Sequence, residues 1–212
     1  MTQTVPATPT DPAFPPAGEG DFARMEVETP FDADALEAFI DDPERLLRIN
    51  PLMEFQRFEK VGEEQWHLQG RNLANGREFD VRFERNPLPG GGWRLRWEGW
   101  LKQATELRIQ PGVNGAARLE IVDDYSGVSE EERRARIGEV DTSFTHWGRA
   151  LHRYLHNQRR WYWVPGWRWY MNGPWLRMKP SARRITFLLV FITAAEFLLF
   201  LFVLLIFRLE TA

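Results

Sequence analysis

The stretch from Val27 to Pro43 reads VETPFDADALEAFIDDP. It predicts the end of a strand, then a helix, and then an Asp-Pro pair that interrupts the helix. Residues 22–29 alternate between apolar and charged side chains, which predicts a half-buried strand. Asp32 is the predicted N-cap of a helix whose apolar side chains recur at three- and four-residue steps. Asp42 and Pro43 then predict the start of a second short helix.

Beyond this stretch, apolar and polar side chains alternate with period two in about six consecutive segments, which predicts antiparallel strands. The Asn75-Gly76 pair predicts a type I′ hairpin between two of them. A long amphipathic helix follows, from Ser129 to about Arg160, and it is the only element large enough to cover the apolar face of the sheet. The predicted apolar face carries no carboxylate or imidazole, so the pattern favours binding over catalysis.

This element order and the stretch 27–43 resemble the START-like, or SRPBCC, helix-grip superfamily, which includes polyketide cyclase-like and coenzyme Q-binding proteins. The resemblance covers Phe22 to about Arg160. It implies an α+β helix-grip fold, with an antiparallel curved sheet of about seven strands around a long C-terminal helix. It also implies a cavity between sheet and helix that takes an apolar ligand, and no cofactor other than a bound lipid or quinone.

The expected cavity residues are the inward-facing side chains of the strands and of the long helix. They are Trp66, Leu68, Phe79, Val81, Phe83, Trp93, Leu95, Trp97, Leu107, Ile109, Leu119, Ile121, Phe144, Trp147 and Leu151. Gly70 and Gly99 on the same face would leave room beside the large rings. The alternative is that large and small side chains interlock in a solid core.

A second apolar feature runs from Ile185 to Phe207, where 23 residues are interrupted only by Glu196. At 1.5 Å per residue this run covers about 34 Å, against a hydrocarbon thickness of about 30 Å. The sequence therefore predicts one transmembrane helix followed by a short tail, 208–212, in a tail-anchored protein.

The charge distribution predicts the orientation of this helix. Residues 142–184 hold nine basic side chains and no acidic one, whereas residues 1–141 have a net charge of −11. The positive-inside rule places the N-terminal domain in the cytoplasm, and we expect the bacterial inner membrane. The basic segment would also attract anionic lipid headgroups, which is a more economical explanation than nucleic-acid binding.

Aromatic side chains cluster just before the predicted span, between Trp161 and Trp175. Such rings are typical of the membrane–water interface. Trp161 and Trp163 could instead pack on the folded domain. The expected interface residues are Trp161, Trp163, Trp167, Trp169, Tyr170, Trp175, Arg177, Lys179, Arg183 and Arg184.

Glu196 is an acidic residue at the centre of the predicted span, where acids are costly and usually face a partner. Thr186, Thr193 and Glu196 lie on one helical face, which predicts a contact with another helix in a homo-oligomer or a larger membrane complex. The alternative is a protonated Glu196 that bonds locally.

The sequence thus predicts five segments: a disordered Pro-rich lead at 1–20, a START-like domain at 21–160, a juxtamembrane segment at 161–184, the span at 185–207 and the tail. The lead lacks the apolar run of a secretory signal. The absence of cysteine excludes disulfides and thiolate chemistry. His152 and His156 have a metal-ligand spacing, but without a third ligand no metal site is predicted.

Three functions remain open at this point. The favoured one is membrane-anchored binding or transfer of a hydrophobic small molecule such as a quinone, an isoprenoid or another lipid. The second is an accessory or assembly subunit that docks on a membrane protein through its span. The third is a cyclase-like enzyme acting on an apolar substrate.

Overall fold

The computed structural model describes residues 22–127 and 129–210, and the side chains of Glu130 and of residues 132–143 lie outside the described part. The predicted lead at 1–20 and the last two residues, Thr211 and Ala212, are also outside it. The chain divides into two compact units, with the boundary between Val164 and Pro165.

The first unit begins with strand β1 (Phe22–Glu28) and helices α1 (Ala33–Ile40) and α2 (Pro43–Arg48). Six strands follow: β2 (Met53–Lys60), β3 (Gln65–Asn72), β4 (Glu78–Pro87), β5 (Trp93–Glu98), β6 (Ala104–Pro111) and β7 (Ala117–Asp124). The long helix α3 (Glu130–Arg160) completes the unit. All neighbouring strands are antiparallel, in the order β1-β7-β6-β5-β4-β3-β2. This is the predicted α+β helix-grip fold.

Two aspartates start the short helices as predicted. The Asp32 carboxylate accepts a hydrogen bond of 2.9 Å from the backbone N–H of Ala35. The Asp42 carboxylate accepts one of 3.0 Å from the N–H of Arg45, and Pro43 is the first residue of α2. Each cap satisfies a backbone donor that the first helical turn leaves without a partner.

The strand register places the predicted inward side chains on one face of the sheet. Leu68 lies opposite Val81, and Phe83 lies opposite Trp97. Leu107 lies opposite Ile121 on the next pair of strands. Helix α3 contributes its own buried side chains to this core, namely Phe144, Trp147, Leu151, Tyr154 and Leu155.

The β3–β4 connection differs from the predicted two-residue hairpin. It spans five residues, and a type I′ turn would need positive φ at two central positions, whereas only Gly76 has it here, at 72°. The Gly76 N–H donates to the carbonyl of Asn72 at 2.8 Å, and the Asn75 side chain accepts from the N–H of Arg77. These local hydrogen bonds stabilise a wider turn, so the type I′ prediction is wrong.

The second unit contains helices α4 (Trp167–Asn172), α5 (Pro174–Arg177) and α6 (Pro180–Glu210). Gly166, with φ of 78°, precedes α4, and Gly173 separates α4 from α5. Helix α6 contains the predicted span 185–207. It is long and apolar enough to cross a membrane, and the side chains of its most apolar window are not buried.

Candidate ligand-binding cavity

A cavity of about 100 Å³ lies between the sheet and helix α3. Strands β2, β3, β5 and β7, the β5–β6 connection, helix α3 and the α2 region all contribute to its wall. The described lining residues are Leu47, Asn50, Met53, Phe55, Leu68, Asn72, Trp97, Trp100, Leu101, Lys102, Asp123, Tyr125, Phe144 and Trp147. Most of these side chains are aromatic or aliphatic, and polar groups come from Asn50, Asn72, Lys102, Asp123 and Tyr125. Apolar side chains combined with a limited number of polar groups are typical of small-molecule sites.

Four of the predicted cavity residues, Leu68, Trp97, Phe144 and Trp147, line this space. The others pack in the domain around it. Trp66 stacks on Phe83 with ring centroids 5.0 Å apart, and Phe83 lies 4.9 Å from Trp97. The predicted residues that are buried or half-buried without lining the cavity are Trp66, Phe79, Val81, Phe83, Trp93, Leu95, Leu107, Ile109, Leu119, Ile121 and Leu151.

The space beside Gly70 is filled. A Cβ at this position would lie 2.2 Å from the carbonyl oxygen of Glu54 and 2.7 Å from the Phe79 ring. Strand β2 therefore approaches the β3 backbone closely at Gly70, and the glycine permits strand packing instead of providing room for a ligand.

The polar part of the cavity wall centres on a buried ion pair. The Lys102 ammonium lies 2.8 Å from each carboxylate oxygen of Asp123. The two residues are 8% and 2% exposed, so water screens their charges little. The Thr105 hydroxyl also donates to Asp123, and the Trp97 indole N–H donates to that hydroxyl at 3.0 Å. The Tyr125 hydroxyl lies 3.4 Å from the second Asp123 oxygen.

Three tryptophan rings surround the Lys102 ammonium. Its nitrogen lies 5.2 Å from the ring centre of Trp97, 5.8 Å from that of Trp147 and 6.0 Å from that of Trp100. These are cation–π distances. The Trp147 indole N–H donates to the carbonyl of Leu46 at 3.2 Å, which holds the ring between α3 and α2.

The expectation that the inward face carries no carboxylate is wrong. Asp123 continues the alternation of Leu119 and Ile121 by one further step, and it pairs across the sheet with Thr105. The sequence prediction ended the inward face of β7 at Ile121, although the same period-two pattern extends to Asp123. Lys102 lies between β5 and β6, outside any strand, so alternation carries no signal for it.

A further buried charge, Arg85, lies on the sheet outside the cavity lining. It continues the inward face of β4 after Val81 and Phe83, and its guanidinium donates to Glu64 at 2.6 Å. This hydrogen bond holds the pKa of Glu64 below its ordinary value of 4.5. The guanidinium lies 3.9 Å from the ring centre of Trp93. Arg85 is thus fully engaged by its neighbours and has a structural role.

The histidines lie away from the cavity. His67 is 2.6 Å from Asp80, and this hydrogen bond is the main reason that the pKa of Asp80 lies below its ordinary value. The rings of His152 and His156 lie 4.2 Å apart, and Nδ1 of His152 is 3.0 Å from the carbonyl oxygen of Glu28. Within the described residues, no group of three side chains could hold a metal ion.

No protein-family model and no curated protein matches the sequence. The sheet order and the long helix α3 nevertheless define the architecture. The domain has the helix-grip fold that the sequence predicts.

Solved structures of similar fold include a START superfamily protein from Mycobacterium smegmatis, with a TM-score of 0.49 and 17% identity over 65% of this chain and 98% of that chain. The Zhui aromatase/cyclase from Streptomyces sp. R1128 has a TM-score of 0.46 and 13% identity over 66% and 95%. A STAR-related lipid transfer protein from Xanthomonas axonopodis has a TM-score of 0.41 and 14% identity over 63% and 84%. At these identities the likeness concerns the fold alone.

The predicted interface aromatics fall into two groups. Trp161 and Trp163 follow α3 in the first unit; they are 38% and 73% exposed, with ring centroids 6.5 Å apart. Neither of them is buried in the domain. In the second unit Trp169 is 74% exposed, while three further rings are half-buried, those of Trp167, Tyr170 and Trp175.

The predicted basic side chains of the second unit also differ in their roles. Arg183 stacks on Trp175 at 4.2 Å and donates to the backbone carbonyls of Trp175 and Leu176 at 3.0 and 2.8 Å. It therefore stabilises the turn that leads into α6. The remaining predicted basic residues, Arg177, Lys179 and Arg184, are exposed.

The predicted helix-contact residues lie on α6. Thr193 and Glu196 are exposed, and large apolar side chains surround them along the helix. Thr186 is half-buried, and its hydroxyl lies 3.8 Å from the Met178 sulfur. The structure thus leaves an acidic side chain uncovered in the middle of the apolar run.

Proposed function

We propose that the START-like domain binds a small, mainly apolar ligand that carries one polar group, and that α6 anchors the domain in a membrane. The observation that carries this proposal is the aromatic cavity with the Lys102–Asp123 pair in its wall. Apolar walls provide affinity, and a few fixed polar groups orient a ligand.

The size of the cavity limits what it holds. Drug-sized ligands occupy pockets of about 300–1,000 Å³, and an engineered cavity of about 150 Å³ binds benzene. At about 100 Å³ this cavity is smaller than both. A quinone, an isoprenoid or another lipid would place its head here, and the cavity would have to widen to hold a whole ring or chain.

The membrane part of the proposal rests on α6 and on the charges before it. We infer that residues 185–207 span the bilayer and that the exposed rings of Trp161, Trp163 and Trp169 lie at the interface. We further propose that the domain lies on the cytoplasmic side, and the basic segment 142–184 supports this orientation through the positive-inside rule. Anchoring would keep the domain next to the bilayer, where apolar ligands are concentrated, and this suits binding or transfer of a lipidic molecule.

The direct test is ligand uptake by the full chain in phosphatidylcholine nanodiscs. Equilibrium dialysis against empty nanodiscs corrects for partition into lipid. We expect saturable binding of a short-chain benzoquinone or of a radiolabelled fatty acid, with one molecule per chain. The absence of saturable uptake for both compounds would overturn the binding function.

Glu196 favours a second candidate function, that of an accessory or assembly subunit. An exposed acid at the centre of an apolar helix costs about 2.5–3.5 kcal/mol on insertion scales, a figure measured for Asp, and it usually contacts a polar group on another helix. We expect Glu196→Leu to remove partners, or a second copy of the chain, from pull-downs in mild detergent. An unchanged set of partners would show that Glu196 makes no such contact. Leu199→Ile serves as the control on the same helix.

The third candidate, an enzyme, gains support from the carboxylate of Asp123 in the cavity wall. Binding remains the favoured function because this carboxylate already accepts hydrogen bonds from three side chains, those of Lys102, Thr105 and Tyr125. Turnover of a bound ligand that Asp123→Asn abolishes without loss of binding would favour the enzyme instead.

A further inference from the structure

We propose that the cavity selects a neutral ring compound that bears a carbonyl oxygen, and that this oxygen accepts a hydrogen bond from the Lys102 ammonium. The inference rests on the proposed ligand-binding function and adds the chemical class of the ligand. It follows from the hydrogen bonds of the buried Lys102–Asp123 pair in the cavity wall.

Lys102 is the charged donor in the cavity wall. An ammonium group has three N–H bonds and no acceptor. Two of them are directed at Oδ1 and Oδ2 of Asp123, each at 2.8 Å. Within the part of the chain that the structure describes, the other neighbours of the nitrogen are the rings of Trp97, Trp100 and Trp147, which stabilise the charge without accepting a conventional hydrogen bond. One N–H is left for an acceptor in the cavity.

Asp123, in contrast, has little acceptor capacity left. Lys102 occupies both oxygens, the Thr105 hydroxyl donates to Oδ1, and the Tyr125 hydroxyl lies 3.4 Å from Oδ2. A ligand hydroxyl could accept from Lys102, but its own O–H could reach Asp123 only by displacing one of these donors. A group that accepts and does not donate therefore suits this pair best.

The buried ion pair also restricts the charge that the ligand can carry. The ion pair is neutral as a whole and buried, so an additional charge in the cavity would have no partner of its own. A carboxylate ligand would approach Lys102 beside the negative Asp123, and a cationic ligand would lie beside Lys102 itself. A neutral carbonyl accepts the remaining N–H and leaves the pair intact.

The walls favour a ring as the rest of the ligand. Trp97, Trp100, Phe144 and Trp147 present aromatic surface to a space of about 100 Å³. Rings pack on such walls in offset or edge-to-face contacts, and they lose little conformational freedom on binding. A benzene-sized ring with a carbonyl substituent suits these walls and the Lys102 donor, and the cavity has to widen to hold it.

Equilibrium dialysis with a set of ligands of one size tests this inference. Full-length protein in phosphatidylcholine nanodiscs is dialysed against empty nanodiscs with radiolabelled toluene, acetophenone, benzyl alcohol or benzoate. We expect acetophenone to bind about tenfold more tightly than toluene, because a hydrogen bond to a charged donor contributes in that range. Benzyl alcohol and benzoate should bind more weakly than acetophenone.

Variants of Lys102 and Asp123 test whether the preference for acetophenone arises at this ion pair. The double variant Lys102→Met with Asp123→Asn removes both charges together, so neither is left buried without a partner. It should still bind toluene and should lose the preference for acetophenone. Lys60→Met is the matched control, because Lys60 lies 5.1 Å from the Trp66 ring centre and is not among the described lining residues. This control should keep the preference.

A spectroscopic measurement on the wild type covers the case in which the double variant does not fold. The carbonyl stretch of bound ¹³C-labelled acetophenone should move to lower wavenumber than in an aprotic solvent, since the oxygen accepts a hydrogen bond. An unshifted band, equal affinities for toluene and acetophenone, or tightest binding of benzoate would overturn the inference and leave the binding function intact. Failure of all four compounds to bind would instead count against the proposed function.

Discussion

The Lys102 ammonium lies 2.8 Å from both carboxylate oxygens of Asp123, and this pair forms part of the wall of an aromatic cavity. The two residues come from different elements, the β5–β6 connection and the end of β7. Both are buried, so each charge depends on the other for compensation.

Removal of one member of this pair should lower the free energy of unfolding more than removal of both. Lys102→Met leaves the Asp123 carboxylate buried without its counter-charge, and we expect the free energy of unfolding to fall by about 3–5 kcal/mol. The double variant with Asp123→Asn should recover most of this loss. Urea unfolding followed by near-UV circular dichroism measures both effects.

Arg57→Gln provides the control for this prediction, since it breaks the exposed pair of Arg57 with Glu59 and should leave the unfolding midpoint unchanged. A single Lys102 variant as stable as the double variant would show that the pair carries no buried charge.

Gly70 should not tolerate a side chain. The Cβ of Gly70→Ala would lie 2.2 Å from the Glu54 carbonyl oxygen, so β2 or β3 must shift, and we expect a loss of about 1–3 kcal/mol in the free energy of unfolding. Gly62→Ala is the matched control, because the atoms nearest to its Cβ would be side-chain atoms of Gln65, at 3.2 Å or more, instead of a backbone oxygen at 2.2 Å. Equal stability of the two variants in urea unfolding would contradict the close approach of the strands.

The Arg85–Glu64 pair should make stability depend on pH in the acid range. Because the hydrogen bond from Arg85 lowers the folded-state pKa of Glu64, its contribution is present above the ordinary value of 4.5 and is lost as the pH falls through the folded value. Glu64→Gln should therefore lower the melting temperature at neutral pH, and the difference from wild type should disappear in acid.

The size of this pH effect is small, since the Glu64 side chain is 41% exposed and water screens the pair; we expect about 1 kcal/mol or less. Glu63→Gln removes the same charge from the neighbouring exposed position and should show no such pH dependence. A constant difference between Glu64→Gln and wild type at all pH values would exclude an ionic contribution.

The proposed orientation can be tested by labelling, because the chain has no cysteine. A single thiol introduced by Glu63→Cys, in the exposed β2–β3 loop, should react with a membrane-impermeant maleimide only after intact cells are permeabilised. Thr2→Cys near the N-terminus should behave in the same way, since both positions precede the span. Labelling of intact cells would reverse the orientation.

The fold was predictable because its signals are local. Asp32 and Asp42 mark helix starts through side-chain hydrogen bonds that need only a few neighbouring residues. Alternation alone assigned the inward faces of most strands, and the register pairs Leu68 with Val81 as that assignment requires. Local reasoning failed at Asn75, where side-chain hydrogen bonds favour a wider turn over the two-residue hairpin.

The cavity was less predictable because it depends on contacts between distant segments. Asp123 follows the alternation of β7, but its burial depends on Lys102, 21 residues earlier and outside any strand. Alternation also could not separate Trp66, which stacks on Phe83, from Trp97, which lines the open space. Both rings face inward, and only the three-dimensional packing decides which of them borders a void.

The measurement that tests the central claim most directly is mass spectrometry of the organic extract from the purified full chain. Met53→Trp is the comparison, because the larger ring at this lining position would fill the cavity. The account predicts an apolar compound in near-stoichiometric amount with the wild type and little of it with the variant. An extract without such a compound, or the same amount from both proteins, would contradict the claim that this cavity binds a ligand.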